Sequence, residues 1–475
     1  MALIQQKPVT PAPQDQNQQR IEQLLRTQRT YFADGHTLPI AFRKEQLRRL
    51  QQVLKQHEQE LFDALYADFR KPALEAFGTE IGFIELELKL ALKSIDDWAS
   101  PRRVPETLIN FPARSYVYPQ PYGVALIISP WNYPLNLLFT PLIGAMAAGN
   151  CAILKPSEIA PNTAAIVTRI ISQNFDERYL AVVEGGVETA QHLLAQRFDY
   201  IFFTGSTQVG RIVMKAAAEH LTPVTLELGG KSPAIVTVDA DLELAARRIT
   251  WGKFLNAGQT CVAPDYVLVQ EEVKEDFIQL IGRCITDFYG TNPAESPDFA
   301  RIINDAHFAR LSRMLTPEHI RAGGQTDAAT RYMAPTLLEH ITWEHPAMQE
   351  EIFGPILPIL SFDGLDDMIK MVNRHEKPLA LYFFSGNRAH QQRILREVSF
   401  GGGCINDTLS HLANPNLPFG GVGSSGLGSY HGMASFDVFS HQKSVLHRGT
   451  WLDLPFRYPP YGNKLKFLRK LFGWL

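Results

Sequence analysis

Short, almost wholly apolar runs alternate in this chain with segments of helical length, and this alternation constrains the fold more than any other feature. Residues 123–129, 151–154 and 200–203 are apolar runs of strand length, and a helix is predicted after each of them. Strands that are apolar on both faces are typical of parallel sheets, because crossover helices cover both faces. The pattern begins again beyond Leu228. The sequence therefore predicts an α/β fold with two parallel-sheet domains.

Length and composition exclude several classes of protein. The chain has 475 residues, which predicts two or three packed domains. Its 46 basic residues nearly balance 49 acidic ones, so no nucleic-acid partner is expected. The four cysteines are scattered without CxxC spacing, which argues against a disulfide framework and a zinc site. We expect no metal and a reducing, cytoplasmic location.

Two segments precede the first apolar run. Residues 19–98 carry apolar side chains at three- and four-residue steps among many polar ones, which predicts amphipathic helices. Residues 101–121 are bounded by prolines and alternate in character around Tyr116 and Tyr118, which predicts a strand. This strand belongs either to a protruding hairpin or to the edge of a sheet.

Both ends of the chain lack the features of export signals and membrane spans. Residues 1–18 are polar, without the apolar core of a secretory signal, and are predicted to be a disordered lead-in. Residues 464–475 place Leu465, Leu468 and Phe472 at helical spacing among basic side chains, which predicts an amphipathic basic helix. This helix either lies on an anionic membrane surface or packs over a substrate opening or a dimer partner. It is too short to span a bilayer.

A glycine turn follows the third apolar run and leads into an alanine-rich helix. The turn contains Thr204, Gly205, Ser206, Thr207, Gln208, Val209 and Gly210. A helix N-terminus in this position binds phosphate through its free backbone N–H groups. The sequence is not GxGxxG, and an ordinary tight turn between a strand and a helix remains an equal alternative.

Three polar side chains are candidates for chemistry. Cys261 follows a glycine turn, although a cysteine is more often a buried small side chain than a nucleophile. Glu227 lies between two leucines, which raise the pKa of a carboxyl toward the range of a general base, but it is equally read as a surface acid at a strand end. Asn132 lies between two prolines and either donates to an oxyanion or forms a turn.

Seven motifs in one order resemble the aldehyde dehydrogenase superfamily. They are WNYP, KPSE, GSTQVG, LELGGKSP, GQTC, EEIFGP and LPFGGVGSSGLGSYHG, and the similarity extends from about Gln19 to Leu446. The short N-terminal region, WNYP, PVTLEL and SYHG resemble the class 3 and fatty aldehyde dehydrogenase branch. The resemblance implies two Rossmann-like domains, one binding the cofactor and one catalytic, with a small antiparallel bridging element.

The resemblance also implies catalytic roles. Cys261 matches the nucleophile, Glu227 the general base, and Asn132 the amide that binds the oxyanion together with the backbone N–H of Cys261. Attack by the thiol gives a thiohemiacetal, hydride transfer to NAD or NADP leaves a thioester, and water activated by Glu227 releases the carboxylic acid.

The implied cofactor contacts lie in three regions of the sequence. Lys155 and Glu158 match positions near the adenosine ribose, and the turn from Thr204 to Gly210 matches the pyrophosphate and nicotinamide region. Gly229, Glu351 and Phe353 match further contacts, the last two on the nicotinamide side. Because the carboxylate of Glu158 repels a 2′-phosphate, we expect NAD first, with NADP also used.

Three alternatives to this activity remain open. Acylating relatives pass the thioester to coenzyme A, but they generally lack a carboxylate at the position of Glu227. A semialdehyde dehydrogenase needs a cation for the second carboxylate, and no arginine is evident for that role. A catalytically silent relative is the third alternative, and the joint presence of Cys261, Glu227 and Asn132 argues against it.

The resemblance divides the chain into domains. Residues 19–100 and 121–226 are predicted to form the NAD(P)-binding domain, and residues 227–423 the catalytic domain. Residues 101–120 and 424–446 are predicted to form the bridging and oligomerisation element of a homodimer. Residues 447–475 are left as a C-terminal tail.

The expected substrates are medium- or long-chain aliphatic aldehydes, with aromatic and apocarotenoid aldehydes as alternatives. Tyr133, Phe419 and His431 match positions that line the substrate funnel of the family, although single aromatic side chains more often serve packing. The apolar, basic tail favours a lipid-like substrate and peripheral contact with a membrane.

Overall fold

The computed structural model describes residues 13–107, 110–453 and 455–473. The helices are α1 (Pro13–Ala33), α2 (Ile40–Gln56), α3 (Glu58–Phe69), α4 (Ala73–Ala76), α5 (Gly82–Trp98), α6 (Asn136–Ala148), α7 (Pro161–Asn174), α8 (Val187–Leu194), α9 (Thr207–Glu219), α10 (Leu242–Phe254), α11 (Lys274–Tyr289), α12 (Asp305–Ser312), α13 (Pro346–Gln349), α14 (Leu365–Asn373), α15 (Arg388–Glu397), α16 (Met433–Val438) and α17 (Lys464–Phe472). A π-helical turn, Phe77–Ile81, joins α4 to α5, and short 3₁₀ turns include Leu255–Gly258 and Ser410–Ala413.

The strands form four sheets. They are β1 (Arg102–Val104), β2 (Arg114–Pro121), β3 (Val124–Ile128), β4 (Cys151–Lys155), β5 (Leu180–Val182), β6 (Tyr200–Thr204), β7 (Val224–Glu227), β8 (Pro233–Val236), β9 (Tyr266–Gln270), β10 (Ile320–Ala322), β11 (Thr326–Asp327), β12 (Tyr332–Met333), β13 (Thr336–Leu338), β14 (Ile356–Phe362), β15 (Ala380–Phe384), β16 (Gly402–Ile405), β17 (Gly426–Leu427) and β18 (Ser440–His447).

Two large sheets confirm the α/β prediction. The first has the order β17-β7-β6-β3-β4-β5, and only β17 runs antiparallel to its neighbour. The second has the order β10-β13-β14-β9-β8-β15-β16, and only β10 runs antiparallel. All residues of β3, β4 and β6 are buried, as expected for strands covered by helices on both faces.

A small antiparallel sheet lies apart from the two parallel ones. Its order is β1-β2-β18. Strands β1 and β2 pair antiparallel, so residues 101–121 form the predicted hairpin, and β2 is the central strand of the sheet rather than an edge. Strand β18 pairs with the full length of β2, from Ser440 opposite Pro121 to His447 opposite Arg114. The residues of β17, which were predicted to join this element, instead extend the first large sheet. The division of the chain into domains remains a prediction.

The first helix starts earlier than the composition predicted. Residues 13–18 were expected to be part of a disordered lead-in, but α1 begins at Pro13. Asn17 Nδ2 donates to Thr189 Oγ1 at 3.1 Å, which ties this first part of α1 to α8. Residues 1–12 lie outside the described part of the chain.

The topology brings polar side chains to one edge of the first sheet. Strand β6 lies between β3 and β7, and all three run in parallel. Asn132 follows β3, Thr204 ends β6 and Glu227 ends β7. The carboxyl ends of neighbouring parallel strands are where open α/β sheets bind ligands, so this edge is the place to look for a site.

Two further properties bear on function. Within the described ranges, no helix is long and apolar enough to cross a membrane. Among the same residues, no group of three or more His, Cys, Asp or Glu side chains is arranged to hold a metal ion.

Candidate active site

Two cavities meet at Cys261. One has a volume of about 920 Å³ and the other about 980 Å³, both including open space at the mouth, and Cys261 and Leu137 line both of them. The first cavity has an apolar lining, whereas the second contains most of the polar side chains at the edge of the first sheet. A thiol at this junction faces two different binding spaces.

The backbone before Cys261 is unusual. Asn256 and Ala257 have φ values of 53° and 51°, in the left-handed region that side chains rarely occupy, and Gly258 follows with φ 75°. A Cβ at Gly258 would overlap the backbone carbonyl of Gly354, so the segment requires glycine there. Such local strain persists where the surroundings hold it, which is common at functional sites.

Cys261 is half-buried at the junction of the two cavities. Burial raises the pKa of Cys261 above its ordinary value, and the carboxyl groups of Glu351 and Glu227 add to this effect. This raised pKa favours the neutral thiol, whose proton has to leave when the sulfur attacks.

Glu227 ends β7 and lines the polar cavity together with Cys261. Its exposed fraction is 2%, and neither carboxylate oxygen has a hydrogen-bond partner among the described residues. Burial raises the pKa of Glu227 well above its usual value, because the charged form lacks compensating donors. The predicted effect of its apolar neighbours on this pKa is confirmed.

Asn132 is held against the segment that carries Cys261. Its Nδ2 donates to the carbonyl of Gln259 at 3.1 Å, and its own carbonyl accepts from Asn256 Nδ2 at 3.0 Å. The side-chain amide lines the polar cavity beside Cys261. The structure thus brings Asn132, Glu227 and Cys261 together, although the first two lie on one sheet edge and the third lies far along the chain.

The polar cavity contains most of the predicted cofactor contacts. Its lining includes Thr204, Gly205, Ser206, Thr207, Gly229, Glu351 and Phe353. Ser206 Oγ accepts from the N–H of Val209 at 3.3 Å and caps α9, whose first turn faces the cavity. Burial raises the pKa of Glu351 to about 8.

Four predicted cofactor contacts lie outside the lining of the polar cavity: Lys155, Glu158, Val209 and Gly210. Lys155 Nζ contacts Glu158 Oε2 at 2.6 Å just beyond β4. Val209 lies one turn into α9, and a Cβ at Gly210 would overlap the side chain of Leu228, so Gly210 allows α9 to pack closely on that residue.

The apolar cavity brings together the three residues of the predicted funnel. Tyr133, Phe419 and His431 all line it, and the rings of Phe419 and His431 are stacked with centroids 5.5 Å apart. Burial lowers the pKa of His431 to about 4, so this imidazole is neutral. Within the described chain, no Asp, Glu, Lys or Arg side chain lines the cavity.

Sequence reasoning missed several polar side chains at or near the site. His307 and Arg310 line the polar cavity, and Arg310 Nη1 donates to Glu350 Oε1 at 3.0 Å. Lys71 and Glu80 form a buried ion pair below Asn132, and Glu87 binds the backbone of Gly432 beside the funnel. Lys71 lies between α3 and α4 and the others lie on helical segments, and the charged patterns there carry no signal that distinguishes these residues from solvated ones.

Comparison with known proteins shows the family to which the chain belongs. A sequence profile of the aldehyde dehydrogenase family matches residues 4–445. The chain belongs to this family. It is therefore an oxidoreductase that acts on aldehydes, and the match begins closer to the N-terminus than the motifs alone indicated.

Relatives place the chain in the class 3 branch of the family. The 4,4'-diaponeurosporen-aldehyde dehydrogenase of Staphylococcus aureus is 50% identical, and the alignment covers 95% of this chain and 99% of the relative. Aldehyde dehydrogenase family 3 member A2 of Rattus norvegicus is 47% identical, with 93% and 91% covered. These relatives confirm the branch that the motifs predicted.

Solved structures of aldehyde dehydrogenases have the same fold. Staphylococcus aureus AldH in a substrate-bound state has a TM-score of 0.94 at 50% identity, covering 95% of this chain and 99% of that one. An indole-3-acetaldehyde dehydrogenase in complex with NAD+ has a TM-score of 0.83 at 27% identity, with 91% and 89% covered. GapN of Methanocaldococcus jannaschii, in complex with NADP, has a TM-score of 0.81 at 26% identity, with 94% and 96% covered. The family uses NAD(P).

Proposed function

We propose that this enzyme oxidises long apolar aldehydes, aliphatic or apocarotenoid, to carboxylic acids with NAD(P)+ through a thioester on Cys261. The observation that carries the proposal is the apolar cavity of about 920 Å³, which ends at Cys261 and has no charged side chain in its described lining. A hydrocarbon chain loses water on entering such a space, which favours binding by about 0.8 kcal/mol for each buried methylene.

The same lining argues against a semialdehyde substrate. A second carboxylate would be placed among side chains such as Leu137, Leu412 and Phe419, without a cation to compensate for its lost hydration. The 4,4'-diaponeurosporen-aldehyde dehydrogenase of Staphylococcus aureus acts, by its name, on an apocarotenoid aldehyde. Its similarity along almost the whole chain supports a long, unsaturated substrate as one class.

The polar cavity has groups that fit the nicotinamide cofactor. Thr204 Oγ1 and Glu351 Oε1 are buried there without hydrogen-bond partners among the described residues, and both suit hydroxyl groups of a ribose. The N-terminus of α9, with Ser206 and Thr207 in the lining, suits a pyrophosphate. Glu158 favours NAD over NADP, because its carboxylate would repel a 2′-phosphate.

The residues of the chain perform the chemistry in two stages. Cys261 Sγ attacks the carbonyl carbon while the thiol proton passes to solvent, and the resulting oxyanion accepts hydrogen bonds from Asn132 Nδ2 and the backbone N–H of Cys261. The bound nicotinamide supplies a hydride acceptor, which leaves an acyl group on sulfur. Glu227 then takes a proton from the water that attacks this thioester, and the carboxylic acid leaves while the thiol is restored.

Assembly and location form a further part of the proposal. Strand β18 pairs with β2 on one side only within the described chain, and most of its side chains are exposed. An open strand edge of this length supports a homodimer that is formed through the small antiparallel sheet. The described cysteines are all free thiols, which supports a cytoplasmic location.

The test is a series of saturated aldehydes of increasing length, with one semialdehyde of matched length, assayed with NAD+ and without coenzyme A. We expect kcat/KM to rise by about two- to fourfold for each added methylene until the cavity is full. We expect the semialdehyde to react at least about tenfold more slowly than its neutral counterpart. Cys261→Ala should abolish the reaction, whereas Cys284→Ala on α11 should leave it unchanged. A preference for the semialdehyde, or a requirement for coenzyme A, would overturn the proposal.

A further inference from the structure

A buried ion pair lies directly below the loop that carries Asn132. Lys71 Nζ contacts Glu80 Oε1 at 2.6 Å, and both side chains have an exposed fraction of 0%. Two charges in the interior lose their hydration, and their attraction offsets that cost only when further hydrogen bonds satisfy both groups. The partners of this pair therefore indicate what it holds in place.

Both members of the pair bind the backbone around Asn132. Lys71 Nζ donates to the carbonyl of Asn132 at 3.2 Å and lies 4.4 Å from the ring centroid of Tyr133. Glu80 Oε2 accepts from the N–H of Leu135 at 2.9 Å. The ammonium of Lys71 thus binds the loop at Asn132, and the carboxylate of Glu80 binds it three residues later, just before α6.

The same carbonyl is held from the other side by the Cys261 segment. Asn256 Nδ2 donates to the carbonyl of Asn132 at 3.0 Å and to that of Gln259 at 3.2 Å. The backbone N–H of Asn256 donates to Glu75 Oε1 at 2.9 Å, which supports its left-handed conformation. Lys71 and Asn256 therefore share one acceptor, and Asn132 Nδ2 reaches the carbonyl of Gln259 in the same assembly.

We propose that Lys71 is a positioning residue for the reaction and that it acts through Asn132. Its ammonium group fixes the peptide plane of Asn132, which sets the direction of the side-chain amide relative to Cys261. A charge-assisted hydrogen bond is stronger than a neutral one, so the ammonium limits rotation of this peptide more than a neutral donor does. The inference rests on the proposed oxyanion role of Asn132.

A double-mutant cycle tests the coupling between the two residues. Lys71→Met, Asn132→Ala and the combined variant are compared by the rate of the first burst of reduced cofactor at saturating aldehyde. Asn132→Ala alone should lower this rate by about a hundredfold or more. Lys71→Met should lower it by about tenfold in the native background and by less than about twofold when Asn132 is already alanine.

Each outcome of the cycle has a distinct meaning. Equal effects of Lys71→Met in both backgrounds, or no effect in the native one, would overturn the positioning role while leaving that of Asn132 intact. An unchanged burst in Asn132→Ala would instead refute the proposed oxyanion role.

A charge-neutral pair of substitutions separates positioning from folding. Lys71→Met leaves Glu80 buried without its partner and should destabilise the protein, whereas Lys71→Met with Glu80→Gln removes both charges and retains an acceptor for the N–H of Leu135. We expect this double variant to regain most of the thermal stability but to keep the slow burst. Recovery of the burst together with stability would show that Lys71 serves folding alone.

Asp68→Asn is the matched control for stability. Asp68 is a buried acid that accepts from the backbone of Asn162 and Thr163 at the start of α7, and it lines neither cavity. The substitution should lower thermal stability without slowing the burst at temperatures where the protein remains folded. A slow burst in Asp68→Asn would mean that any loss of stability reaches the site, and the inference from Lys71 would fail.

Discussion

The pKa of Glu227 is raised because its buried carboxylate lacks hydrogen-bond donors in the described part of the chain. Its two carboxylate oxygens are buried and accept no hydrogen bond from the described residues. The raised pKa makes the side chain a stronger base than an exposed glutamate once it has lost its proton. A general base for water needs this property, because an ordinary carboxylate removes a proton from water too weakly.

Glu227→Gln separates the two stages of the reaction. The variant should still produce reduced cofactor in the first turnover, since hydride transfer precedes the attack of water, but steady-state turnover should fall by about a hundredfold or more. Rapid mixing with aldehyde and NAD+ measures both rates in one experiment. A missing burst would place Glu227 before hydride transfer and contradict the order of steps.

Gly229 is a residue for which the structure gives a steric prediction. A Cβ there would overlap the carboxylate of Glu351, so Gly229→Ala should displace that side chain from the polar cavity. We expect the KM for NAD+ to rise by about tenfold, while the KM for aldehyde changes little. Gly282→Ala on α11 is the control, because a Cβ there meets no other atom within 4 Å. Equal KM values for NAD+ in both variants would show that Glu351 does not contribute to cofactor binding.

At the scale of elements, the local hydrophobic pattern predicted the buried strands of the first large sheet. The apolar runs at residues 123–129, 151–154 and 200–203 became β3, β4 and β6, because such runs between turn residues have few other stable environments. The helix that was predicted after β3 is α6, in which almost every residue is buried. The π-helical turn Phe77–Ile81 was not predicted. It contains Glu80, whose buried contact with Lys71 is not encoded in the local pattern.

Helix α5 supplies a pH-dependent contact with the funnel. Both oxygens of Glu87 accept from the N–H of Gly432, and burial raises the pKa of Glu87 to about 7 from 4.5. The folded state thus holds a proton that the unfolded state releases, so the stabilising contribution of Glu87 is complete below about pH 4.5 and is lost as the pH rises through about 7.

Glu87→Gln keeps the acceptor for Gly432 and removes the titration. Relative to this variant, the native enzyme should lose up to about 3 kcal/mol of unfolding free energy between pH 4.5 and pH 8. Chemical denaturation of both proteins at several pH values measures the difference. A difference that is independent of pH would mean that the pKa of Glu87 is the same in the folded and unfolded states.

At the scale of the whole molecule, the packing of the two large sheets assembles the site. Asn132 and Glu227 lie at the edge of the first sheet, whereas Cys261 precedes β9 of the second, so only packing of the two sheets brings them to one cavity. The resemblance of the motifs indicated the three residues in advance. The motifs did not indicate the residues that hold these three in place. Lys71 contacts Asn132 and Glu75 contacts Asn256, and both partners lie far away in the sequence.

The C-terminal tail is confirmed as a basic helix over Lys464–Phe472, while residues 474 and 475 of the predicted helix lie outside the described chain. Leu465 and Phe472 expose 57% and 58% of their area, which leaves an apolar surface beside basic side chains. Peripheral contact of this helix with membranes remains a prediction.

Deletion of residues 464–475 tests that contact. We expect weaker binding to anionic vesicles by about tenfold, with unchanged activity toward short aldehydes. A sedimentation assay with anionic and neutral vesicles measures the effect. Unchanged vesicle binding, combined with altered preference for long aldehydes, would favour a tail that packs over the substrate opening.

The measurement that tests the central claim most directly is the mass of the enzyme after one turnover. Glu227→Gln is mixed with NAD+ and a long aliphatic aldehyde, quenched in acid, and analysed by intact mass and by peptide mapping. The account predicts an added acyl group on the peptide that contains Cys261, formed in proportion to reduced cofactor and removed by hydroxylamine. Reduced cofactor without an acyl group on Cys261 would contradict a thioester mechanism.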